Sequence, residues 1–159
     1  MKRSELVGWL RAIIVIAFAM GGILCFAVAP LLGQGLAVEY PPLAFLFWPC
    51  LIFVWVTAVP FGAALVESWK ICGELRQGRA FCGGNVRRLR RISRLALSEC
   101  VIYFAALVFL AVSGLLHPVA LLFILVILCV GFAAAAFAAV LAHLTVRAGE
   151  MQEENEKTI

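Results

Sequence analysis

From Ala12 to Val38 the chain carries no charged residue. A run of that kind has few outlets, because a bilayer core takes about 20 mainly apolar residues per helix and a charge at its centre is costly. Runs of this type predict four spans, at about 10–33, 43–66, 97–116 and 119–146. Inside lipid the backbone must satisfy its own hydrogen bonds, and these runs lack the alternation of barrel strands, so the spans are read as helices. The expected fold is an all-α membrane protein, a single domain over 1–159 with four transmembrane helices in an antiparallel bundle. Composition points the same way, since 65% hydrophobic and 14% charged residues with a mean hydropathy of +1.07 lie outside the range of soluble domains.

Lys2 and Arg3 ahead of an apolar core, with "AVA" at Ala27–Ala29, resemble a secretory signal. Pro30 would follow the scissile bond and three more spans come after it, so the first span is expected to be an uncleaved anchor. Orientation follows from basic residues, which short loops retain on the cytoplasmic side. Lys70, Arg76, Arg79, Arg87, Arg88, Arg90, Arg91 and Arg94 all fall between the second and third spans, and the other two loops have none. Both termini, the basic loop 67–96 and the acidic tail 147–159 are therefore expected in the cytoplasm. The expected location is a membrane, crossed several times.

The basic loop carries an amphipathic pattern. Val86, Leu89, Ile92 and Leu95 recur at helical spacing, while Arg87, Arg88, Arg90, Arg91 and Arg94 fill the other faces. A helix is expected from about Cys82–Asn85 directly into the third span, with its arginines at anionic headgroups or on a partner. Continuity with a span argues against entry into a nucleic-acid groove. The tail offers Glu150, Glu153, Glu154 and Glu156 as contacts for that helix. Gly131, Ala135, Ala138 and Ala142 lie on one face of the fourth span and predict close helix packing.

Catalytic and metal chemistry find little footing. The six cysteines form no CxxC pair, His117 and His143 stand alone, and no Ser/His/Asp set, carboxylate pair or phosphate loop appears. No enzyme activity and no cofactor are expected. Cys72 and Cys82 are the two thiols of the cytoplasmic loop. Arg11, Glu67 and Glu99 are read as lying within about two turns of the cytoplasmic boundary, which leaves the midplane without ionisable groups and allows an Arg11–Glu99 pair. Pro49 and Pro60 are expected to kink the second span.

"GRAFCGGNVRRLRRIS" before a span and the terminal "MQEENEKTI" resemble the hallmarks of a bacterial family called domain of unknown function twenty-nine seventy-five (DUF2975). The matching positions are Gly78, Phe81, Asn85, Leu89, Arg90 and Ile92 in the loop, and Glu153, Glu154, Asn155, Thr158 and Ile159 in the tail. Cys82 replaces a family serine, and Glu156–Lys157 replace an aspartate and a leucine. The resemblance implies a small bacterial membrane protein whose relatives are often encoded beside a helix-turn-helix transcription regulator. The expected function is a non-enzymatic regulatory or sensory membrane protein that presents the basic loop and acidic tail to a cytoplasmic partner such as that regulator. The alternative is a small transporter or the membrane subunit of an exporter. Expected partners are anionic lipid headgroups at the basic loop, a DNA-binding regulator and a second copy of the chain, with no direct contact to nucleic acid.

Overall fold

A computed structural model of the protein describes residues 3–39, 41–77, 83–116 and 118–157. Almost every one of them is helical, and no strand occurs among the described residues. Helix α1 spans Arg3–Ile23, a π turn covers Leu24–Val28, and α2 continues over Ala29–Glu39. A 3-10 segment at Pro41–Leu46 leads into α3 (Phe47–Arg76), followed by α4 (Gly83–Val112) and α5 (Pro118–Lys157). Four stretches are long and apolar enough to cross a membrane: Val7–Glu39, Ala44–Arg76, Gly83–Val112 and Ala120–Met151. These helices run further than apolarity alone predicts, because the backbone stays helical across the charged flanks. The basic segment belongs to α4, and the acidic tail prolongs α5 as far as Lys157.

Pro30 accounts for the break between α1 and α2. Proline has no N–H to offer the preceding turn. The Ala29 N–H bonds Leu24 O, five residues back, so Cys25 O would need a donor from Pro30 and finds none there. Trp55 supplies it across the interface, its Nε1 donating to Cys25 O at 3.3 Å. Of the two prolines expected to kink the second span, only Pro60 is interior to α3. Pro49 sits in the first turn, where an N–H would have no helical partner anyway.

The end of α4 follows from Gly114, whose φ of 68° only glycine adopts freely. Gly114 N–H donates to Ala111 O and Leu115 N–H to Leu110 O, at 3.3 and 3.1 Å, which closes a Schellman motif. Pro118 then opens α5 with its φ already set.

The helices pack in chain order: α1 against α3, α3 against α4, and α4 most extensively against α5. Among the described residues α1 makes no close backbone approach to α4 or α5, and α3 makes none to α5. The bundle is therefore open along its two edges. Small residues set the tightest contact. Ala135, Ala138 and Ala142 are buried, and a Cβ on Gly131 would come within 2.7 Å of Cys100 Sγ. Ser93 Oγ donates to Ala135 O at 3.0 Å, a polar clasp between α4 and α5. Large apolar side chains such as Phe26, Val59, Phe109 and Phe137 point outward instead. That inversion suits lipid, where small residues at interfaces let backbones approach.

Candidate functional site at the charged end of α3 and α4

Glu67 is the centre of the charged end. Its side chain is only 11% exposed, and it lies 3.2 Å from Arg91 Nη1, 3.9 Å from Arg88 Nε and 3.8 Å from Lys70 Nζ. Arg88 also reaches Glu74 Oε1 at 3.7 Å. Helix α4 positions these arginines because its inward stripe begins at Asn85 and continues through Arg88, Leu89 and Ile92, all partly or fully shielded. Asn85 itself is 1% exposed. Two of the five arginines are thus occupied by carboxylates of α3.

The other three point away. Arg87, Arg90 and Arg94 are exposed, and none of them meets a carboxylate among the described residues. Arg90 and Arg94, one turn apart, join Ser93, Ala139, Ala142 and His143 around an open cleft of about 330 Å³ between α4 and α5. Such a cleft has two guanidinium groups and an imidazole at its rim, which fits an anionic group. Glu150 projects from α5 beyond His143 and is exposed. The side chains of Glu153, Asn155 and Glu156 lie outside the described residues, as do Gly78, Phe81, Cys82, His117, Thr158 and Ile159. Glu154 is exposed and has an interaction partner.

The resemblance motif splits by direction. Asn85, Leu89 and Ile92 turn inward, whereas Arg90 lines the cleft. Gly131 and the three alanines hold α5 to α4 within one chain, so this face is already covered and offers no surface to a second copy.

A second polar group sits deeper. Arg11 lies 5.0 Å from the Trp69 ring centre and faces Gly73, while Gly21 faces Phe61 and Cys25 O meets Trp55, which fixes the register of α1 on α3. Glu67 with Arg91, and Phe53 with Tyr103 at 5.3 Å between rings, fix α3 on α4. Those registers put Glu99 level with the π turn, near the middle of the charge-free run of α1. The sequence places it close to the boundary; the structure moves it inward and separates it from Arg11, and no ion pair joins the two. Glu99 has an enclosed Oε2 that accepts no hydrogen bond. One turn on, Tyr103 is joined by a hydrogen bond to Thr57, itself buried and donating to Val54 O at 3.0 Å.

A family model described as "Protein of unknown function (DUF2975)" matches residues 31–159. The chain belongs to that family. A relative, the uncharacterized membrane protein YoaS of Bacillus subtilis (strain 168), is 31% identical over 138 residues, covering 86% of each chain. No solved structure matches the chain.

Sequence reasoning passed over Glu67 as a boundary residue. The available signal was its place one turn before Lys70 and two before Glu74, ahead of an arginine-rich helix.

Proposed function

We propose that this membrane protein is regulatory or sensory rather than enzymatic, and that it holds a cytoplasmic partner on the unpaired arginine face of α4. The supporting observation is the division of labour among the arginines. Arg88 and Arg91 are consumed by Glu67 and Glu74, whereas Arg87, Arg90 and Arg94 are exposed, the last two beside His143. Cations left exposed and unpaired contribute little to folding but much to the capture of an anionic surface. The partner is an acidic cytoplasmic protein or a small helix-turn-helix regulator, whose basic face Glu150 and Glu154 would meet.

This reading sets the helices antiparallel in the bacterial cytoplasmic membrane, with the start of α1 and the end of α5 on the cytoplasmic side. The clustering of Lys and Arg between α3 and α4 supports that orientation. In the test, the full chain is affinity-purified from gently solubilised native membranes beside the Arg87→Glu/Arg90→Glu/Arg94→Glu variant. The variant keeps its helicity and loses the co-purifying partner. Unchanged co-purification sinks the proposal.

One observation favours a second reading. A carboxyl near the middle of a span, without a cationic partner and beside Tyr103 and Thr57, is the usual mark of an ion or substrate path. On that reading the chain is a small transporter or an exporter's membrane subunit. Recovery of a membrane ATPase in place of a soluble regulator would favour it.

A further inference from the structure

The start of α1 and the end of α3 enclose a groove of about 270 Å³ with an entirely apolar lining. Ile14, Val15 and Phe18 form one wall, and Leu65, Val66 and Trp69 form the other. Trp69 has two roles here, because it lines the groove while its ring carries the Arg11 guanidinium at 5.0 Å. Arg11 is only partly exposed, its Nε is enclosed without a hydrogen bond, and no carboxylate forms an ion pair with it among the described residues. A half-buried cation set against an aromatic face, with no carboxylate paired to it, still has room for an anionic acceptor. The guanidinium fork matches a phosphate in both shape and charge.

We propose that this groove binds one anionic phospholipid, with an acyl chain lying along Ile14, Phe18 and Leu65 and the phosphate held by Arg11. The depth of the site fits. Arg11 and Trp69 stand level with Lys70, one turn beyond Glu67, where the charged ends of α3 and α4 mark the headgroup zone. The chain-facing part is wholly apolar and the head-facing part is a lone cation, which is the complement of an anionic lipid. Lys70 is engaged by Glu67, so Arg11 supplies the charge preference. The site is separate from the cleft of Arg90, Arg94 and His143, which lies across the bundle between α4 and α5, and the proposal stands without the partner-binding reading.

The test uses the full chain, delipidated in detergent and then titrated with phosphatidylglycerol or phosphatidylcholine. Native mass spectrometry counts the bound lipids and a thermal melt reads the effect. One phosphatidylglycerol is retained in preference to phosphatidylcholine, with a rise in melting temperature. Arg11→Gln reduces that preference on the order of five-fold, the weight of one interfacial basic side chain, and Arg11→Lys largely restores it. Ala19→Trp fills the groove and weakens both lipids. Arg90→Gln/Arg94→Gln leaves the preference intact. Equal retention of the two lipids by the unmodified chain, or a preference that survives Arg11→Gln and vanishes in the Arg90/Arg94 variant, overturns the proposal.

Discussion

Glu67 shows how much one side chain can organise when the protein shields it. Its carboxylate has three cations around it, of which Arg88 alone also reaches Glu74. Arg91 is 58% exposed and Lys70 49%, so water screens much of their attraction, whereas Arg88 at 26% is held more firmly. Removing one partner of a shielded pair costs more than the pair contributes, because the other charge stays behind. Glu67→Gln is therefore expected to lower stability by about 1–3 kcal/mol, read as a fall in melting temperature in detergent. Replacing Arg91 alone costs less than replacing Arg88. Equal losses for the two arginines would mean that shielding does not decide the strength of this cluster. The sequence offered no direct route to this arrangement, since residues 67 and 91 sit on different helices and their meeting depends on packing.

Between elements, the link from Pro30 to Trp55 is the clearest case of a local rule with a distant consequence. Proline removes a donor, the helix widens into a π turn, Cys25 O loses its partner, and an indole on α3 replaces it. In lipid no water is at hand to repair an unmet carbonyl. Trp55→Phe keeps the ring contact with Phe26, at 6.3 Å between centroids, but removes the donor. It is expected to cost about 1–2 kcal/mol by thermal melting. Pro30→Ala supplies an N–H in place, so in that background Trp55→Phe becomes nearly silent. A loss of the same size in both backgrounds would show that the indole acts through packing and not through Cys25 O. The four spans and the small-residue face of α5 were legible because both are written within one helix, as apolar length and as spacing. The π turn was not, although Pro30 was in view, because its consequence requires knowing which side chain lies opposite.

For the whole molecule, depth is the property that sequence recovers least well. Charges on a helix mark where that helix meets water, and on this ground alone Glu99 falls close to Arg94 and the boundary. Its true level depends on how α4 is seated against α3 and α3 against α1, and these registers carry it to the height of the π turn. The same registers align the other ends: the end of α2, the 3-10 segment, the Gly114 turn and the start of α5 gather at the pole opposite Arg11, Glu67 and Arg91. A molecule so divided has one basic pole and one pole with no Lys or Arg among the described residues, where Glu39 ends α2, and the positive pole is the one membranes retain in the cytoplasm. Reporter fusions test this directly. Green fluorescent protein joined after Arg147 should fluoresce, and alkaline phosphatase joined after Leu116 should be active. The reverse pair of results would invert the protein, expose Arg90 and Arg94 to the outside, and remove the cytoplasmic partner face together with the inner-leaflet position of Arg11.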